Sequence, residues 1–128
     1  MRALIVDDDP QMRGLLETVA ESHGLVVTAC GSAEDAWEKF QTGQYELVVL
    51  DWMLPGMDGI ELCRRMRADP RGQHVAILIV TARRGPTDLQ AVLDAGASDY
   101  IAKPADPEVI GVGVALAIPR APKQKARA

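Results

Sequence analysis

Apolar residues along this chain come in short continuous runs, separated by longer stretches in which they recur at helical spacing. The runs are ALIV (3–6), LVVTA (25–29), LVVL just before Asp51, AILIVT (Ala76–Thr81) and the shorter DYIA (Asp99–Ala102). Runs this short and this rich in β-branched residues predict strands rather than helices. Between them, Met12, Leu15, Leu16, Val19 and Ala20 share one face of a helix that opens at Pro10 and closes near His23 and Gly24. Proline is harmless in a first helical turn and glycine favours the C-terminal end. Ser32 and Asp35 are spaced as a capping box ahead of Ala36, Trp37 and Phe40, with Gly43 as the stop. Ile60, Leu62, Cys63 and Met66 mark a third helix over Gly59–Ala68, and a fourth runs over 86–95 with Gly96 after it. Asp106 and Pro107 read as N-cap and first residue of a fifth.

Strand and helix thus alternate five times. Strands too apolar to keep a wet face predict a parallel sheet covered by helices on both sides, a doubly wound α/β domain. The last helix is the weak point. Gly111 and Gly113 each cost about 1 kcal/mol against alanine in a helix interior, and its apolar residues run all round it.

Length and charge narrow the picture. At 128 residues the chain is one domain with a real core. The closing PRAPKQKARA carries Arg120, Lys123, Lys125 and Arg127 and no acid. The boundary therefore falls at 1–118 for the domain and 119–128 for a basic tail or linker. The whole chain carries −4, so the part before that +4 tail carries −8, a poor nucleic-acid binder by itself. No signal peptide is visible, and the ten apolar residues 109–118 are too few to span a bilayer. Cys30 and Cys63 match no metal or redox spacing and read as reduced thiols of a cytoplasmic protein.

The chemistry lies where the strands end. In an open parallel sheet, ligands bind at the carboxyl ends of the strands. The first strand delivers Asp7, Asp8 and Asp9, the third Asp51 and the fourth Thr81, while Lys103 follows the fifth. Converging carboxylates repel unless a cation lies among them, and a few oxygen ligands with room for water suit Mg²⁺. A charge-screened Asp51 can then attack phosphorus and form an aspartyl phosphate. Lys103 and the Thr81 hydroxyl are placed to meet the phosphoryl oxygens.

Four motifs carry a resemblance: the acids in LIVDDDP, the strand-terminal aspartate in LVVLDWMLPGMDG, the threonine in LIVTA and the Lys-Pro of YIAKP. Together, in this order, they resemble a response-regulator receiver domain, the phospho-acceptor module of two-component signalling. The resemblance implies a flavodoxin-like sheet of strand order 2-1-3-4-5, with Asp51 as phosphorylation site. It implies Asp8, Asp51 and the Met53 backbone carbonyl as Mg²⁺ ligands, with Asp7 acting through water. Tyr100 matches the family's aromatic switch residue, and a cis peptide is implied before Pro104. The donor is a phosphohistidine on a sensor histidine kinase or histidine phosphotransfer protein. The output is a changed surface on the fourth helix, fifth strand and fifth helix, through which a homodimer can form. The module catalyses only its own phosphorylation and slow dephosphorylation.

Other readings compete residue by residue. Asp9 suits a helix N-terminus and Asp58 the cap of the third helix. His23 and His74 are isolated, Trp52 serves as an optical reporter, and Met53, Met57 and Met66 read as packing. Met53 and Arg83, two past the phospho-acceptor and the switch threonine, occupy positions that tune phosphoryl lifetime in the family. A small haloacid-dehalogenase-type phosphatase also fits an Asp-x-Asp pair, Asp7 and Asp9, with Asp7 as nucleophile. Against it, Gln11 stands where that family has threonine or valine. A flavodoxin-like FMN binder lacks its phosphate loop.

Overall fold

The computed structural model describes residues 1–83 and 85–118. The strands are β1 (Arg2–Val6), β2 (Val26–Cys30), β3 (Leu47–Leu50), β4 (Ala76–Thr81) and β5 (Asp99–Ala102). They alternate with α1 (Pro10–Ser22), α2 (Ala33–Thr42), α3 (Gly59–Ala68), α4 (Pro86–Asp94) and α5 (Pro107–Ala117), and a 3-10 turn, Pro70–Gly72, follows α3. All strand pairings are parallel, in the order β2-β1-β3-β4-β5. The order reverses between β1 and β3, which opens a crevice at their carboxyl ends.

Alternation along the strands sorts the core into two layers. Leu4, Val6, Val48, Leu50, Ile77 and Ile79 face α2, α3 and α4, while Ala3, Ile5, Leu47, Val49, Leu78 and Val80 face α1 and α5. Phe40 fills the first layer, stacked between Trp37 and Tyr45. Of the three central strands, β3 and β4 are dry from end to end and β1 is dry after Arg2, but the edge strands are not. Val26 of β2 is 65% exposed and Asp99 of β5 faces solvent, which corrects the expectation that no strand has a wet face. An edge strand has one neighbour and fewer helices over it, so its apolar run need not be fully covered.

Four helices open on side-chain caps: Asp9, Ser32, Asp58 and Asp106 accept from the backbone N–H of Gln11, Asp35, Glu61 and Val109. The helix α5 forms despite its glycines, and one of them, Gly113, lies at a close contact. A Cβ on Gly113 would come 2.6 Å from Ile101 Cδ1 of β5, whereas one on Gly111 would make only ordinary contact, 3.5 Å, with His23 just after α1. Both glycines cost helix propensity, and Gly113 gains close approach to the sheet. The outer face of α5 stays apolar, with Val109, Val112 and Leu116 exposed.

Candidate functional site

The strand ladders carry the polar side chains to one edge. Asp51 N–H donates to Val6 O at 3.0 Å, Asp7 N–H to Cys30 O at 3.2 Å and Lys103 N–H to Thr81 O at 2.7 Å. Each of these bonds extends pairing one step past a strand end, so Asp7, Asp51 and Lys103 converge on rigid backbone. Gly59 lets α3 begin directly against this edge. Its N–H donates to Trp52 O at 2.8 Å, and a Cβ there would lie 2.1 Å from the Asp51 carbonyl oxygen.

Asp7, Asp8 and Asp51 can each present a carboxylate oxygen within 4.8 Å of the others. Asp7 and Asp51 are buried, whereas Asp8 is exposed. Lys103 Nζ lies between the two buried acids, 3.1 Å from Asp7 Oδ2 and 3.0 Å from Asp51 Oδ2. The other Asp7 oxygen accepts from Asp9 N–H at 2.9 Å, and Asp51 Oδ1 accepts from Met53 N–H at 3.2 Å. Burial pushes the Asp7 carboxyl above its ordinary range despite those bonds. Burial works to lower Lys103, but its hydrogen bonds and attraction to Asp51 and Asp7 outweigh it and hold the ammonium above its ordinary value. Three carboxylates against one ammonium leave two negative charges, all on hard oxygen donors, a set that fits a divalent cation such as Mg²⁺.

Thr81 ends β4 fully buried, with its hydroxyl oxygen accepting from Arg83 N–H at 3.2 Å. Tyr100 is half-buried against the α4 side of the sheet. In the β4–β5 register it pairs with Ile79, while Thr81 pairs with Ala102. Thr81 and Tyr100 therefore share a face, one row apart. The Lys103–Pro104 peptide is cis. Beside Lys103, the residues Asp9, Met12, Ala82, Pro104 and Ala105 complete an open cleft of about 440 Å³.

Several contacts around the site have no sequence signal. Arg83 stacks on Trp52 and pairs with Asp88. Glu34, at the start of α2, accepts from Met57 N–H at 2.9 Å and so ties down the loop after Asp51; that bond holds its carboxyl below the ordinary range. Arg13 Nη1 donates to Asp7 O at 2.9 Å. Basic and acidic residues on helix faces are common, and only the fold shows which ones reach a loop from another unit. Burial pushes the Cys30 and Cys63 thiols up to about 11, so both stay protonated and unreactive.

Comparison with known proteins places this edge in context. The family model of the response regulator receiver domain matches residues 3–114. The chain belongs to the response-regulator receiver family. The receiver is 41% identical over 107 residues to Protein RcaC of Microchaete diplosiphon, covering 84% of this chain and 16% of that protein. It is 34% identical over 121 residues to the transcriptional regulatory protein AfsQ1 of Streptomyces coelicolor, covering 94% of this chain and 52% of that one. The chain thus spans about half of one curated relative and less of the other. Among solved structures, the chemotaxis response regulator CheY4 of Vibrio cholerae superposes with a TM-score of 0.86 at 23% identity, over 91% of this chain and 98% of that one, a likeness of fold. The receiver domain of sensor histidine kinase PA1611 of Pseudomonas aeruginosa has a TM-score of 0.81 at 28% identity, over 91% and 95%, and holds a magnesium ion in its active-site cleft. Receiver domains are phospho-acceptor switches of two-component signalling, and that role comes with the family. Among the described residues, no helix is long and apolar enough to cross a membrane.

Proposed function

We propose that residues 1–118 form a receiver whose phospho-acceptor is Asp51, charged by the phosphohistidine of a sensor histidine kinase or histidine phosphotransfer protein in the cytoplasm. The observation that carries this is the Lys103 ammonium bridging Asp7 and Asp51 at a strand edge with excess negative charge. One carboxylate oxygen of Asp51 attacks phosphorus, the P–N bond breaks and its electron pair leaves with the imidazole. Asp8, Asp51 and the Met53 backbone carbonyl would hold Mg²⁺, with Asp7 reaching it through water. When bound, the ion supplies charge neutralisation for the transferring phosphoryl group.

The remaining steps belong to side chains. Lys103 pairs with one phosphoryl oxygen and the Thr81 hydroxyl donates to another, turning from its present bond with Arg83 N–H. Thr81 shares a face with Tyr100, so its movement opens space toward which that ring can turn. The surface of α4, β5 and α5 then changes its affinity for a partner. The protein turns over no substrate beyond its own phosphorylation and slow dephosphorylation. The phosphatase alternative gains no support, since its nucleophile, Asp7, has no exposed surface, whereas Asp51 keeps 7%. The basic tail, 119–128, lies outside the described residues, and its role as linker or tail stands as part of this proposal.

Two measurements test the reading. Mg²⁺ titrated into a Trp37→Phe chain is expected to change Trp52 emission, and Asp8→Asn is expected to weaken that binding about tenfold or more. Equal affinity in the variant removes Asp8 from the metal site. The exposed Leu93, Val109, Val112 and Leu116 support a homodimer through α4, β5 and α5. Mass measured by light scattering is expected to rise with concentration on phosphorylation. A constant monomer mass in both states contradicts the dimer.

A further inference from the structure

The loop that leads from Asp51 to α3 is held near its middle by a side chain of another unit. Met53 N–H donates to Asp51 Oδ1 at 3.2 Å, and Leu54 and Gly59 N–H donate to Trp52 O at 3.1 and 2.8 Å, so these three bonds stay within 51–59. Met57 N–H instead donates at 2.9 Å to Oε2 of Glu34, in the first turn of α2. Gly56 makes room for this reach. Its φ of 75° lies in the left-handed region, and a Cβ there would stand 2.7 Å from the same Glu34 oxygen. Glu34 is placed by its own helix. Ser32 caps α2 two residues before it, its hydroxyl oxygen accepting from Asp35 N–H at 3.1 Å.

The tie bears on the proposed metal site because the same loop carries the Met53 backbone carbonyl. Asp7 and Asp51 sit on strand ends fixed by the sheet ladder, whereas Met53 lies in the loop and is 60% exposed. A carbonyl ligand can be aimed only by aiming its backbone. Where that backbone is already ordered, metal binding loses less conformational freedom in capturing it. The bond is of the stronger kind, an N–H donating to an ionised carboxylate. It holds the Glu34 carboxyl below its ordinary range, so the acceptor is charged at neutral pH.

We propose that Glu34 is a positioning residue for the metal site: acting through Met57 N–H, it holds the loop in the arrangement that aims the Met53 carbonyl, and so raises Mg²⁺ affinity from outside the acid pocket. This rests on the reading of Asp8, Asp51 and the Met53 carbonyl as ligands. Glu34 touches neither the ion nor the phosphoryl group, so its effect falls on the Mg²⁺ concentration that labelling requires and not on the rate at saturation. A tie that favours metal binding is in turn tightened by the metal, so Mg²⁺ slows hydrogen exchange at Met57 N–H.

The test uses the full chain in a Trp37→Phe background, which leaves Trp52 as the single tryptophan. Mg²⁺ affinity is read from Trp52 emission, labelling by acetyl phosphate from intact mass at a series of Mg²⁺ concentrations, and exchange at Met57 N–H by NMR. Glu34→Ala is expected to weaken Mg²⁺ binding about three- to tenfold, at or below the low end of the range for partners that orient metal ligands. Saturating Mg²⁺ returns its labelling rate to that of the parent. Glu34→Gln loses the charge but keeps a side-chain oxygen for Met57 N–H, and is expected to bind Mg²⁺ more nearly as the parent does than as Glu34→Ala does. Exchange at Met57 is expected to slow with Mg²⁺ in the parent. An affinity in Glu34→Ala equal to the parent's overturns the proposal. So does Glu34→Gln binding as weakly as Glu34→Ala, which assigns the effect to charge alone, a labelling rate that saturating Mg²⁺ does not restore, or Met57 exchange indifferent to Mg²⁺. Each of these leaves the ligand assignment standing. A parent affinity indifferent to Asp8→Asn removes that assignment, and the positioning role with it.

Discussion

Asp7→Asn is expected to make the metal-free domain more stable and, at the same time, to cut its phosphorylation by orders of magnitude. Asp7 is fully buried beside Asp51, and burial holds its carboxyl above the ordinary value of 3.8. A folded-state value above the unfolded one means that the folded chain is stabilised by the protonated form. That contribution is fully present below pH 3.8 and is lost as pH rises through the folded value. At neutral pH the ionised Asp7 is therefore a burden on the fold. Asparagine is neutral at every pH and keeps an oxygen for Asp9 N–H. Lys103 retains Asp51 as its partner, with Nζ 3.0 Å from Oδ2.

The expected gain is about 1 kcal/mol, or about 4 °C in Tm for a domain of this size. The difference between the two chains is expected to shrink as pH falls toward 3.8. Saturating Mg²⁺ reverses the order, because a ligand that binds only the folded state stabilises the chain that can hold it. Thermal melts with and without Mg²⁺ across pH check this. An Asp7→Asn chain that melts lower without metal at neutral pH contradicts the account of the pocket.

The second large effect is steric. Gly59→Ala places a methyl 2.1 Å from the Asp51 carbonyl oxygen and 2.8 Å from Leu50 Cδ1. The first of these is backbone, so no rotamer change relieves it. Either α3 or the end of β3 must move, at a cost of about 2–3 kcal/mol. Because the displaced segment carries Asp51, the phosphorylation rate falls even where the chain remains folded. Chemical denaturation and labelling kinetics of the same preparation read both effects. A stability and rate equal to the parent would mean that the tight joint between β3 and α3 is not what positions Asp51.

How far the sequence reveals this protein depends on whether a feature is local. The carboxylate at the end of LVVL and the threonine at the end of AILIVT are legible because a buried strand has a short apolar pattern with a clear terminus. The caps at Ser32, Asp58 and Asp106 are legible because an N-cap and its helix are contiguous in the chain. The wetness of β2 and β5 is different. It follows from their places at the edges of the sheet, which no single run of residues specifies. Gly113 of α5 misleads for a related reason, since its propensity cost is local whereas its tight contact with Ile101 of β5 is not. The contact of Arg83 with Trp52 lies furthest from sequence reasoning. The arginine's number places it two past Thr81, and only the fold brings it onto Trp52, thirty-one positions earlier in the chain.

The central claim is that Asp51 carries the phosphoryl group. Intact mass after incubation with Mg²⁺ and acetyl phosphate, on the parent chain, Asp51→Asn and Asp7→Asn, tests it most directly. The account predicts a single adduct that requires Mg²⁺, is absent from Asp51→Asn and is reduced to a trace in Asp7→Asn. An adduct that persists in Asp51→Asn and disappears in Asp7→Asn contradicts it and moves the nucleophile to Asp7.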